Sequence, residues 1–202
     1  MPPSEAHIEI SQPKLFTGKA VLVICAYGAF LCVPVFISLL AVSLRKFGFF
    51  SFFYPFLVMV ATAFFLPFGF GNPYVVRLLR NLRPAAPGSA EPLIVQVTLT
   101  PRIRTGLRAL LEDADDVGWL TIKAKELAFT GDSVKFSLPF AQIKQVKLRN
   151  IGLRGLFIYH AISLRVHGLS GVDSIQIAER SSSLLPASKR ITNQLYKQLS
   201  SP

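Results

Sequence analysis

Two stretches without a single charge constrain this chain more than any other feature of its sequence. The first runs from Ala20 to Leu44, between Lys19 and the pair Arg45 and Lys46. The second runs from Phe47 to Val76 and ends at Arg77. An α-helix rises about 1.5 Å per residue, so roughly 20 apolar residues cross a hydrocarbon core about 30 Å thick. Either stretch is long enough. Hydrophobic residues make up 51% of the 202 and charged residues only 16%, and the rest of the chain is too small to wrap two such helices as a buried core. The sequence therefore predicts two transmembrane helices at about 20–44 and 49–71. Ala41-Val42-Ser43 has the small-x-small pattern of a signal-peptide cleavage site. The apolar stretch before it is longer than an h-region, however, and the lead contains Glu5 and Glu9, so a retained anchor is the better reading.

Only Arg45, Lys46, Phe47 and Gly48 clearly separate the two runs, which makes them a hairpin with both chain ends on one side. Lys14, Lys19, Arg77, Arg80 and Arg83 flank the outer ends against Arg45 and Lys46 in the loop, so the positive-inside rule places both termini in the cytoplasm. The expectation is an integral membrane protein with two spans, in the plasma (inner) membrane if the source is bacterial. A re-entrant hairpin is the rival geometry, since Pro34, Pro55 and Pro67 permit kinks. No ionisable residue lies inside either run, which argues against a transporter or channel. Cys25 and Cys32 fall on one helical face among small residues and read as packing rather than redox chemistry.

After Pro73 the pattern becomes amphipathic. Val75, Leu78, Leu79 and Leu82 fall at i, i+3, i+4 and i+7, with Arg77, Arg80 and Arg83 on the other side. This spacing predicts a helix lying along a membrane interface, leucines in the acyl boundary and arginines among phosphates. Pro84 to Pro92 then reads as a proline-stiffened linker. The chain divides into a polar N-terminal segment (1–18), two transmembrane helices (19–72), a basic helix and linker (73–92) and a β domain (93–202).

From Leu93 onward the period is two. Val95, Val97 and Leu99 alternate with Gln96 and Thr98; Leu120 and Ile122 with Thr121 and Lys123; Val134, Phe136 and Leu138 with Lys135 and Ser137; Ile162, Leu164 and Val166 with Ser163, Arg165 and His167. Thr130-Gly131-Asp132-Ser133 is a hairpin turn by composition. Ile103, Leu107, Leu110 and Leu111 have a helical period instead, and Ala187, Ile191, Leu195 and Leu199 form one row of a helix begun by Pro186. Many short antiparallel strands closed by one amphipathic helix predict a small barrel or sandwich. The expected inward residues are Ile122, Phe129, Phe136 and Leu164.

Three segments carry a family resemblance. Gly118-Trp119-Leu120-Thr121-Ile122, Glu126-Leu127-Ala128-Phe129-Thr130-Gly131 and Phe136-Ser137-Leu138-Pro139 followed by Ile143 and Val146 resemble the PH-like superfamily, in particular GRAM and bacterial PH-like domains. The resemblance covers roughly residues 92–200 and implies a PH-like barrel with a C-terminal helix. Some bacterial members carry two membrane spans ahead of that domain. The fold expected is thus a membrane α-helical hairpin followed by a mainly-β PH-like barrel.

Catalytic signatures are missing from the sequence: it has no nucleophile elbow, P-loop, HExxH or dinucleotide fingerprint. His7, His160 and His167 are scattered, and Glu112, Asp113, Asp115 and Asp116 lack the spacing of an EF-hand and read as a solvated acidic loop. No enzyme, metal or cofactor is expected. Basic residues are the better lead, with 15 Lys and Arg against 8 Asp and Glu in residues 92–202. Arg102, Arg104 and Arg108 form one cluster, and Lys144, Lys147, Arg149 and Arg154 another. With Arg77, Arg80 and Arg83 they are the candidate lipid-binding or partner-binding residues, each attracted to anionic lipid by about 1 kcal/mol near a bilayer. Nucleic acid is not expected, since Trp119 reads as core rather than as a stacking platform. The function expected is a non-catalytic, membrane-anchored module that recognises anionic headgroups or another membrane protein. The alternative is an accessory or scaffold subunit of a membrane complex with no lipid specificity.

Overall fold

The computed structural model describes residues 6–12, 14–15, 19–20, 22–23, 26, 30, 33, 36–41, 57–58, 73–84, 91–103, 114–151, 159–182 and 185–200. Eight antiparallel strands form one sheet curled into a half-barrel. They are β1 (His7–Ile10), β2 (Leu93–Thr100), β3 (Asp116–Ile122), β4 (Glu126–Gly131), β5 (Val134–Pro139), β6 (Ile143–Ile151), β7 (Tyr159–Val166) and β8 (Ser174–Glu179). Their order across the sheet is β1-β5-β4-β3-β2-β8-β7-β6. Two meanders, β2 to β5 and β6 to β8, are thus joined by pairing of β2 with β8. A short helix, α1 (Pro73–Leu79), precedes the sheet, and α2 (Leu185–Ser200) packs across β6, β7 and β8.

Period-two alternation becomes a two-sided sheet. Val95, Val97, Leu99, Leu120, Phe129, Phe136, Leu164, Ile175 and Ile177 meet on the concave side, and Leu195 of α2 closes over them. Phe129 and Phe136 stack at 5.3 Å between centroids. Of the four residues expected inside, Phe129, Phe136 and Leu164 are buried, and Ile122 packs half-buried against them. On the convex side, Val75 and Leu79 of α1 cover Ile94, Val117 and Trp119. β2 and β3 are therefore buried on both faces, and five consecutive residues, Asp116 to Leu120, are inaccessible.

Three sequence expectations are corrected. First, no helix among the described residues is long and apolar enough to cross a membrane. The longest of them, α2, has 16 residues, or about 24 Å, and carries Lys189, Arg190 and Lys197. The two-helix transmembrane hairpin, the integral-membrane localisation and the membrane-protein class rested on run length, and the cytoplasmic placement of both termini on flanking charge around those spans. Run length measures apolarity, not the continuity of a helix. Within the two runs only residues 20, 22–23, 26, 30, 33, 36–41 and 57–58 are described; the rest of both expected spans lies outside the described residues. Second, the apolar face of the helix after Pro73 is docked on the sheet, Val75 and Leu79 being fully buried there, and so is not available to lipid. Third, Asp115 and Asp116 are not solvated. Both are 1% exposed and serve as acceptors for backbone amides. Glu112, Asp113 and the helical segment expected from Leu107 to Leu111 lie outside the described residues.

Asp116 shows what these carboxylates do. Its Oδ2 accepts from Ser133 N and Val134 N, each at 2.7 Å, and its Oδ1 from Val117 N at 2.8 Å. This carboxylate organises the β4–β5 turn from the neighbouring strand, and it fits because residue 131 has no side chain. A Cβ there would lie 2.2 Å from Asp116 Oδ2 and 2.7 Å from Phe129 Cε1. Gly131→Ala should therefore displace the carboxylate, leave buried amides unsatisfied and cost about 2–4 kcal/mol. Urea denaturation of the variant against the wild type measures that loss.

Candidate anion-binding surface

The basic residues picked out by sequence fall into three groups. Arg77 and Arg80 are exposed on the outer side of α1 and the 3₁₀ turn that follows it. Arg83 is committed to the fold. Its guanidinium lies 5.4 Å from the centroid of the Trp119 ring and 3.7 Å from Glu91 Oε1. Trp119 itself donates from Nε1 to Leu79 O at 2.7 Å, so the indole binds α1 through its edge while Arg83 covers its face. Arg102 is exposed, but Arg104, Arg108 and Arg154 lie outside the described residues.

The third group is the one the fold assembles. In β6, Val146 and Leu148 oppose the buried Leu164 and Ile162, so they mark the concave side. Lys147 and Arg149 then point outward, opposite Ser163 and Ala161, while Gln145 opposes Arg165. Residues two apart on a strand are separated by about 7 Å, and diagonal partners across a ladder by about 7–8 Å. Arg149, Lys147 and Arg165 thus form one row on the convex face, all exposed. The pairing shifts register between Ile143 and Gln145, and Lys144, the residue at that irregularity, is exposed too. Among the described residues none of these four side chains forms an ion pair. Arg165 escaped the sequence reading because it has no basic neighbours along the chain. Its position in the alternating run from Ile162 to Val166 was the available signal.

Several of the remaining polar groups bond within the fold, although Glu179 Oε2, Gln142 Oε1 and Thr192 Oγ1 are buried without a hydrogen-bond partner. Asp115 accepts from Leu99 N at 2.7 Å and Ile103 N at 3.2 Å. Asp132 accepts from the backbone amides of Lys14 and Leu15. Glu179, fully buried, accepts from Ser182 N at 2.8 Å and from Ser181 Oγ, closing the turn into α2. His160 Nδ1 lies 3.0 Å from Asn193 Oδ1 and ties α2 to β7. No three His, Cys, Asp or Glu residues converge as a metal site among the described residues.

One surface carboxylate is perturbed. Hydrogen bonds from Lys123 and then Ser137 hold Glu126 below the ordinary carboxylate range. Its lowered folded-state pKa adds stability above the unfolded pKa, and that contribution is lost as pH falls through the folded value. The difference in Tm between wild type and Glu126→Gln should therefore be largest near neutrality and shrink below pH 4.5, the ordinary value for this group. Thermal melts of both chains from pH 7 to 3 test this.

No protein-family model, curated protein or solved structure matches the chain.

Proposed function

We propose that the chain is a non-catalytic binding module of the PH-like kind that recognises anionic lipid headgroups through the convex face of β6 and β7. The PH-like reading is supported by the strand path: two meanders closed through β2 and β8, with an amphipathic C-terminal helix packed across β6 to β8. One observation carries the choice of ligand. Lys147, Arg149 and Arg165 stand exposed in one row, with Lys144 exposed at the neighbouring register shift, and none of the four forms an ion pair among the described residues. Cations anchored about 7 Å apart on one sheet can reach several phosphates at once, which offsets the entropy lost in ordering their long side chains.

Reversing Lys147, Arg149 and Arg165 together to Glu should lower the preference of the full chain for vesicles of anionic over zwitterionic phospholipid by roughly 10–100-fold at low salt. The difference should shrink at high salt, where the Debye length falls to about 3 Å. An unchanged preference would exclude this face. A wild-type chain indifferent to anionic lipid would exclude the lipid reading and leave a protein partner in its place.

A further inference from the structure

Residues 6–15 are held on the sheet in the manner of a bound peptide. β1 pairs with β5, with Ile8 opposite Phe136 and Ile10 opposite Val134. Ile8 packs against the concave core, whereas His7, Glu9 and Ile10 remain exposed. The chain then bends around the β4–β5 turn. Ser11 N donates to Ser133 O at 2.7 Å. The carboxylate of Asp132, only 8% exposed, accepts from Lys14 N at 3.0 Å and from Leu15 N at 2.9 Å. Leu15 finally packs on the convex side against the cluster around Trp119.

Two apolar anchors seven residues apart thus grip opposite sides of the sheet. The described residues between them are held mainly through the backbone, with Ser11 Oγ also donating to Ser133 O at 3.4 Å and Glu9 pairing with Lys135 at 3.9 Å. Such a site reads an extended main chain plus two side chains, the logic of strand addition to a sheet edge. It also sets a chemical requirement. Both residues gripped by Asp132 must have an N–H, so neither can be proline. Pro13 stands immediately before the gripped pair.

We propose that the β5 edge, Asp132 and the Trp119 cluster form a docking site for an extended segment, filled by the chain's own residues 6–15. The same segment supplied by a second molecule exchanges into it when the strap is released. The strap is short, largely exposed and at the edge of the sheet, whereas the receiving surface is built from the core strands.

The chain has one tryptophan, and it belongs to the cluster against which Leu15 packs, so its fluorescence reports occupancy. In the full chain carrying Ile8→Asp and Leu15→Asp, Trp119 emission should shift to the red. A synthetic peptide of residues 6–15 should reverse that shift saturably. It should bind wild type at least tenfold more weakly, because the site is occupied there. The same peptide with Leu15→Pro should bind the variant at least tenfold more weakly than the native peptide. If the double variant loses the circular dichroism of its sheet, Lys14→Pro, which removes one donor to Asp132, takes its place under the same criteria. The proposal is overturned if the emission of the folded variant matches wild type, if the native peptide fails to bind it, or if the proline peptide binds equally well.

Discussion

The ladder between β2 and β8 joins what would otherwise be two small sheets, and its register decides which face of each strand is inside. Six residue pairs, from Val95 with Glu179 to Thr100 with Ser174, hold the two meanders together. Side chains alternate with period two, so shifting this register by one residue would turn Ile175 and Ile177 out of the core and expose them to solvent. It would also carry Lys147, Arg149 and Arg165 from the convex to the concave side, since β7 and β6 follow β8 in the same parity. The position of the cationic row is thus a consequence of backbone pairing two strands away.

A sheet buried on both faces must dispose of polar groups that water would otherwise satisfy. At the centre of this one, three aspartates do so. Asp115, Asp116 and Asp132 each accept from backbone amides at turns or strand ends where the ladder supplies no acceptor. Charge-assisted hydrogen bonds of this kind are about twice as strong as neutral ones, which offsets part of the cost of burying a carboxylate. The absence of a side chain at Gly131 makes room for one of them. Two residues of what looked in sequence like an acidic loop, Asp115 and Asp116, therefore hold backbone amides at the end of β2 and in the β4–β5 turn.

Legibility followed from how many faces an element buries. β5 and β7 bury one side and declare themselves by alternation: Val134, Phe136 and Leu138 inside with Lys135 outside, Ile162 and Leu164 inside with Arg165 outside. The same alternation in β2 and β3 did not reveal that their second face is covered too, because the covering residues, Val75 and Leu79, belong to a helix remote in sequence. Their apolar stripe was read correctly as a stripe and assigned to the wrong partner, lipid instead of Trp119. β1 is four residues long, with only Ile8 contributing to the core, too little pattern to register beside its polar neighbours. The uncharged runs announced apolarity, but apolarity and the absence of charge do not by themselves make a membrane-spanning helix, and no described helix is long and apolar enough to be one. Of the candidate site, the lysines and arginine of β6 were visible as a cluster, whereas Arg165 joins them only through pairing.

The fold also discriminates between the two basic regions that it leaves in solvent. Arg77 and Arg80 ride on α1 over β2 and β3, whereas Lys147, Arg149 and Arg165 lie on β6 and β7, with β8 between them. On a curled sheet, outward directions diverge from strand to strand, so a flat anionic surface seated on one region meets the other at a tilt. Arg83, the third cation near α1, is already held between the Trp119 ring and Glu91 and would have to give up those contacts to engage a phosphate. The β6–β7 row gives up nothing comparable. β6 is moreover an edge strand, where exposed lysine and arginine discourage pairing with another chain. The register shift between Ile143 and Gln145 adds to this protection by interrupting the regular ladder near the start of the edge strand.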